Sequence, residues 1–183
     1  QDIIVLAGSP GSGKDTQAKL LVEYFKSRNI DIVWINSSDV LKDRIVNFKN
    51  RVGGGELIPD SEVIQVLLKA LKDSLASGAK IIILTGYPRT VAQSRFLVEE
   101  LNSFNLRIAL GLELIVDEDE LIRRLSLRAQ VEGRSDDDKL IIKKRLDIYN
   151  ETTKMALNEL SKNGVLVKQV DGVGDQNTIL KRI

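Results

Sequence analysis

Two residue types are missing altogether from this 183-residue chain, cysteine and histidine. The first absence removes disulfides, thiolate metal sites and thiol nucleophiles together, and it fits a reducing compartment. The second removes imidazole as a base or metal ligand, which disfavours most hydrolase mechanisms. Aromatic residues make up only 4 % of the chain, so the core is left to Ile, Leu and Val, and that composition says nothing about a substrate. An excess of charge of one sign is also lacking: 27 basic residues stand among 26 acidic ones, for a net charge of +1. The one-sided basic footprint of a nucleic-acid binder is therefore not expected, and any anion binding must be local. No apolar run approaches the length needed to span a bilayer, and the sequence opens on a strand rather than on a charged segment followed by a signal-like stretch. The expectation is a cytoplasmic protein with neither a membrane nor a nucleic acid as partner.

What is present is enough length for one substantial core, so one domain carrying small insertions is expected over residues 1–183. Its most informative stretch is Gly8-Ser9-Pro10-Gly11-Ser12-Gly13-Lys14-Asp15-Thr16, which follows the apolar run Ile3 to Ala7 and leads into a helical pattern. Gly8, Gly13 and Lys14 meet the G-x-x-x-x-G-K spacing of a phosphate-binding loop, whose backbone N–H groups curl around a phosphate. Lys14 adds a point charge, and the helix that begins there adds the positive end of its dipole. A bare glycine-rich turn is the bland alternative, and the strand before and helix after argue against it.

Short β-rich runs near 3–7, 31–36, 80–85, 108–116 and 164–170 alternate with longer helical ones. That order predicts an α/β doubly wound fold, a five-stranded parallel sheet with helices on both faces in three layers. Right-handed crossovers then bring the loops after residues 7, 36 and 85 to one edge, where ligands bind. Two stretches leave this core: 37–66, with the Gly53-Gly54-Gly55 run, and 127–138, with Gly133 and three consecutive aspartates. The core is accordingly expected to be 1–36, 67–126 and 139–183.

Three further clusters carry polar chemistry. Thr85-Gly86-Tyr87-Pro88-Arg89-Thr90, with Gln93 after it, follows a buried strand, although a turn alone would explain Gly and Pro. Ile35-Asn36-Ser37-Ser38-Asp39-Val40-Leu41-Lys42 ends a strand and opens a helix, and Ser38 or Asp39 would serve as its cap. Arg124 and Arg128 share a helix face, followed by Arg134 and then Lys143-Lys144-Arg145. Arg123, Lys143 and Lys144 are read as solvated.

The ordered set of these pieces, with Gly55-Glu56-Leu57-Ile58-Pro59-Asp60 and Gly133-Arg134-Ser135-Asp136-Asp137, resembles the adenylate kinase family of nucleoside monophosphate kinases in its short-lid form. The resemblance covers nearly the whole chain. It implies a monomeric phosphotransferase that moves a phosphoryl group from Mg²⁺-bound ATP to AMP, giving two ADP. It also implies that 37–66 is the acceptor-binding excursion and 127–138 the lid. The attacking phosphate oxygen is already anionic, so the missing histidine is no obstacle, and catalysis becomes positioning plus charge neutralisation.

Carried over residue by residue, the resemblance puts ATP on Gly11, Ser12, Gly13, Lys14, Asp15, Thr16, Arg124 and a backbone contact at Gly174. AMP falls to Ser37, Lys42, Glu56, Leu57, Ile58, Gly86, Tyr87, Pro88, Arg89, Gln93, Arg134 and Arg145. In this reading Ser37 faces the acceptor base and Gln93 reads the adenine edge. Lys14, Arg89, Arg128, Arg134 and Arg145 are the catalytic set, arginine suiting phosphate through its planar fork.

Four positions depart from the family pattern. Thr85 stands where the family has an aspartate that helps hold magnesium waters, and Asp15 where it has glycine. Asp15 also occupies the place of the magnesium-binding Ser or Thr of other phosphate-binding loops. Either the metal carboxylate has moved to Asp15, acting through water, or Asp15 is an exposed first-turn acid favoured by the helix dipole. Ser38 replaces a glycine, and Lys42 replaces an arginine, keeping the charge without the paired geometry. Transfer to CMP, UMP or a deoxynucleotide, a catalytically weakened nucleotide-binding module, and a kinase for a small metabolite are the competing readings.

Overall fold

Strand β1 (Asp2–Gly8) sends Ile3, Val5 and Ala7 to one face and Ile4 and Leu6 to the other, and apolar side chains cover both. Period-two alternation with both faces apolar is what a central parallel strand requires. The protein is a computed structural model that describes residues 1–104, 106–132 and 138–183. Its sheet is parallel throughout in the order β2-β3-β1-β4-β5, with β2 at Ile32–Asn36, β3 at Ile81–Thr85, β4 at Arg107–Ile115 and β5 at Val167–Asp171.

Helices α4 (Asp60–Ala76), α5 (Val91–Ser103) and α8 (Lys154–Lys162) pack Leu67, Leu71, Leu97, Leu157 and Leu160 on one face. On the other, α1 (Lys14–Lys26) and α9 (Gln176–Arg182) contribute Ala18, Leu21 and Ile179. The architecture is thus the expected three-layer α/β fold. A smaller cluster of Leu121, Leu125, Ile142 and Leu146 joins α6 (Glu118–Glu132) to α7 (Lys139–Ile148). Among the described residues no helix is long and apolar enough to cross a membrane.

The connectivity places the site. From β1 the chain goes out to β2, returns to β3 beside β1, and then crosses to β4 on the far side of β1. The strand order therefore reverses at the C-terminal end of β1, where the glycine-rich loop begins, and such reversals open a crevice.

Local chemistry moves two boundaries. Strand β5 starts at Val167 rather than near 164 because Gly164, at φ 83°, ends α8 and the Val165 N–H donates back to the Leu160 carbonyl at 3.1 Å. The cap of α2 (Ser37–Arg44) is Asn36, not Ser38 or Asp39: its side chain accepts from the N–H groups of both, at 3.0 and 3.4 Å. Asparagine in the extended conformation is among the best caps, so the serines that follow are not needed for that duty. Residues 37–66 hold α2, α3 (Phe48–Val52) and the start of α4. Of 127–138, the first six lie in α6, while Gly133 to Asp137, and with them Arg134, lie outside the described residues.

Candidate active site

Gly11 and Gly13 hold φ at 84° and 86° in the loop after β1, a conformation that costs a glycine little and other residues more. The Ser12 N–H closes the turn onto the Ser9 carbonyl at 3.0 Å, and no side chain caps the start of α1. The backbone is thereby arranged as an anion cradle at a helix N-terminus.

Lys14, the first residue of α1, is 18 % exposed. Burial lowers its pKa below the ordinary lysine value; the Asp15 carboxylate, 4.0 Å away, opposes that shift, while Arg89, Arg145 and Arg128 push the same way as burial. Arg89 is lowered as well, by burial first and then by Arg145. Two buried cations, Lys14 and Arg89, with Arg128 and Arg145 beside them are the electrostatic arrangement expected where a polyanion will sit.

Two cavities meet at Lys14. One, of about 190 Å³, is lined by Lys14, Pro10, Gly86, Pro88, Arg89 and Arg145 among others. The other, of about 180 Å³, is lined by Lys14, Gly11, Thr16, Asp15, Arg124 and Arg128 among others. An apolar slot walled by Leu41, Phe48, Val52, Leu57, Ile58 and Val63 shares Gly86 and Arg89 with the first cavity and reaches Gln93.

The wall around Arg89 is braced by backbone. The Gly86 carbonyl accepts both the Arg89 guanidinium at 2.8 Å and the Ser37 hydroxyl at 2.7 Å. Gly86 itself sits at φ 72°, and a Cβ there would fall 2.5 Å from Ser37 Oγ, so both backbone and space require glycine. Gln93, 2 % exposed, takes the Arg89 N–H on its Oε1 and donates from Nε2 to Asp60 Oδ1, both at 2.7 Å.

On the other wall, Arg124 Nε donates to Glu120 at 2.7 Å, and its terminal nitrogens reach the Ser12 and Gly172 carbonyls at 3.4 and 3.1 Å. It therefore ties the glycine-rich loop to the segment after β5. Hydrogen bonds from Arg123 and then Arg124 hold the Glu120 carboxyl well below its ordinary range, at about 2.

Of the residues expected from sequence, Gly11, Gly13, Lys14, Asp15, Thr16, Arg124 and Arg128 line the one cavity. Glu56, Leu57, Gly86, Tyr87, Pro88, Arg89 and Arg145 line the other, and Ile58 and Gln93 the slot. Ser12 is fully buried behind its loop. Ser37 is 1 % exposed with its hydroxyl on Gly86, and its neighbour Ser38 lines both the cavity and the slot instead. Lys42 is exposed on α2 and Gly174 on the loop before α9, and neither belongs to these linings.

Sequence reasoning missed several participants. Lys144, read as solvated, pairs with Glu56 of the first cavity's wall. A π-helical turn, Tyr149–Thr153, puts Tyr149 and Thr153 in that cavity's wall, with the Tyr149 hydroxyl donating to buried Glu113 at 2.8 Å. Glu120 carries a visible signal in its four-residue spacing from Arg124. Glu56 and Lys144 are 88 residues apart and carry none.

The donor set for a cation is sparse. No group of three or more acidic, histidine or cysteine side chains comes together among the described residues. Asp15 offers a half-exposed carboxylate in the cavity wall. Thr85 is fully buried, and its hydroxyl receives the Trp34 indole N–H at 3.1 Å. One carboxylate beside a phosphate cradle fits Mg²⁺, which is bound through one or two carboxylates, several waters and the substrate's own phosphates.

Comparison with known proteins agrees with this geometry. The family model described as adenylate kinase matches residues 6–165. The chain is 36 % identical over 187 residues to an adenylate kinase of Nocardioides sp., covering 98 % of this chain and 94 % of that one. It is 35 % identical over 191 residues to the adenylate kinase of Leptospira biflexa, with 98 % of each chain covered. For the adenylate kinase of Thermus thermophilus the figures are 32 % over 188 residues, covering 98 % and 94 %.

Proposed function

The chain belongs to the adenylate kinase family of phosphotransferases, and from that premise we propose that it transfers the terminal phosphoryl group of Mg²⁺-bound ATP to AMP, giving two ADP. The observation that carries this reading is the junction of two cation-lined cavities at a single lysine, Lys14. A site that only bound ATP would need one of them. Two cavities flanked by Arg124 and Arg128 on one side and Arg89 and Arg145 on the other suit a triphosphate and a monophosphate brought end to end.

ATP lies along the glycine-rich loop in the cavity of Thr16, Arg124 and Arg128. AMP lies across Arg89 and Arg145, its base in the apolar slot. Lys14 stands between them and neutralises charge as the phosphoryl group passes. The nucleophile is an ionised phosphate oxygen, so no base takes part, and the work is alignment and charge stabilisation in a site whose cations are already in place. Asp15 is the protein group that would hold Mg²⁺, through water, in place of a strand-end carboxylate. The metal supplies charge neutralisation across the donor phosphates. Residues 37–66 act as the acceptor-binding excursion and 127–138 as a lid that excludes water, within a single monomeric domain of the cytoplasm.

The test is ADP formation from ATP and Mg²⁺ with AMP, CMP, UMP, GMP and their deoxy forms supplied singly, and with no acceptor as control. AMP is expected to be the preferred acceptor. ATP binding with no acceptor-dependent turnover would instead make the chain a nucleotide-binding module.

A further inference from the structure

A primary amide is nearly symmetrical in shape but not in polarity, since a half-turn about its last bond exchanges an acceptor for a donor. At Gln93 both ends face partners that accept one orientation only. The Arg89 backbone N–H can only donate, and it meets Oε1 at 2.7 Å. The Asp60 carboxylate, at the first turn of α4, only accepts, and it meets Nε2 at 2.7 Å. The other oxygen of Asp60 accepts from the Thr90 hydroxyl at 2.8 Å, and Thr90 Oγ1 in turn accepts the Gln93 backbone N–H at 3.2 Å. The ring of bonds thus closes on the residue where it began. Turning the amide over would set its carbonyl against a carboxylate and its NH₂ against an N–H, forfeiting both bonds and leaving buried groups unpaired.

Two of the four hydrogen-bonding positions of this amide are occupied, which leaves one donor and one acceptor in a fixed order at the end of an apolar slot. We infer that Asp60 is a positioning residue that locks the Gln93 amide so that the slot takes amino-bearing bases, adenine or cytosine, and rejects the oxo-bearing guanine and uracil. The inference rests on the proposed transfer between nucleotides, in which Arg89 and Arg145 hold the acceptor phosphate and the base enters in one direction. An amino base then presents an N–H donor beyond a ring nitrogen acceptor, and an oxo base presents the reverse order. The hydrocarbon walls supply contact but cannot tell the two orders apart, so discrimination falls to the amide, and the amide's orientation falls to Asp60 together with the Arg89 N–H. Sites that demand a particular donor and acceptor pattern discriminate far better than hydrophobic pockets do, because the wrong partner leaves buried groups unpaired.

The experiment compares kcat/KM for AMP, CMP, GMP and UMP in the wild type and in Asp60→Asn, together with KM for ATP and the melting temperature. Asparagine presents either polarity and releases one half of the lock. The wild type is expected to prefer AMP over GMP and CMP over UMP. Asp60→Asn is expected to lower both ratios by about tenfold with KM for ATP unchanged. Asp60→Glu, which keeps an acceptor-only group, is expected to hold the ratios near those of the wild type. An equal loss on all four acceptors would make Asp60 purely structural and overturn the inference while leaving the transfer reaction standing. Should Asp60→Asn not fold, the wild-type panel still decides, since a preference for GMP or UMP contradicts the lock. No acceptor-dependent turnover in the wild type would overturn the reading beneath it.

Discussion

Lys14 keeps a cation where burial disfavours one, and three arginines deepen the cost. Because its folded pKa lies below the ordinary lysine value, the unfolded chain holds that proton more tightly. The charge therefore weighs against folding near neutral pH, and the penalty fades only as pH rises through the lowered value toward the ordinary one. Bound phosphate reverses the balance, which is how a site can be costly alone and stable when filled. Asp15, 4.0 Å from that ammonium, is the counter-charge within the cavity. If it also orders the metal shell, Asp15→Gly will weaken Mn²⁺ binding to the ATP complex about tenfold, read by electron paramagnetic resonance of the free ion, with ATP affinity in the absence of metal unchanged or higher. Unchanged Mn²⁺ affinity would return Asp15 to the role of an exposed first-turn acid. At this scale the sequence was legible where chemistry is local. Gly8 to Thr16 declares itself by spacing, because consecutive residues build the loop, whereas Gly86 to Arg89 reads alone as a turn and gains meaning only from its order among the other motifs. Ser37 does not: its hydroxyl is drawn to the carbonyl of Gly86, 49 residues away, and Ser38 reaches the cavity. Nothing in a pattern of adjacent letters distinguishes those two serines.

Helix α6 shows how one element sets the wall of the cavity that Arg124 and Arg128 line. Leu121 and Leu125, 3 % and 0 % exposed, bury against α7 through Ile142 and Leu146. Leu125 also lies against the loop: a Cβ on Gly11 would come within 3.0 Å of it. The adjoining face of the helix presents Glu120 and Arg124, one turn apart, with Arg124 gripping Ser12 and Gly172. Glu120 is depressed in the folded state, so its contribution is present above the ordinary glutamate value of 4.5 and is lost as pH falls toward about 2. Glu120→Gln removes that dependence. The gap in urea midpoint between wild type and Glu120→Gln is expected to be full above pH 4.5 and to close as pH falls through about 2. A gap that stays constant with pH would mean that Glu120 acts through packing and not through its charge. The period of α6 and the four-residue pair were readable in advance. The π-helical turn at Tyr149–Thr153 was not, since its extra residue answers to the tertiary fit of Tyr149 onto Glu113 rather than to any local propensity.

Across the whole molecule the decisive fact is where the chain reverses its strand order. That reversal opens the crevice beside β1, and the two sides of the crevice come from distant parts of the sequence. Glu56, between α3 and α4, pairs with Lys144 on α7 and so joins the 37–66 excursion to the helix that carries Arg145. The parallel sheet and its two apolar faces were legible in the alternation of β-rich and helical runs, because buried parallel strands need continuous apolar sequence. The bracing of the cavity walls was not, since it depends on pairs such as Asp60 with Gln93 and Glu56 with Lys144, set by the folded path alone.

In the proposed transfer two nucleotides occupy the adjoining cavities at once, end to end at Lys14. Isothermal titration with a non-hydrolysable ATP analogue and Mg²⁺, followed by AMP on the saturated complex, tests it most directly. One analogue and one AMP per chain are expected, with AMP binding in the presence of the analogue at least as tightly as in its absence. Competition between the two for a single site would contradict it.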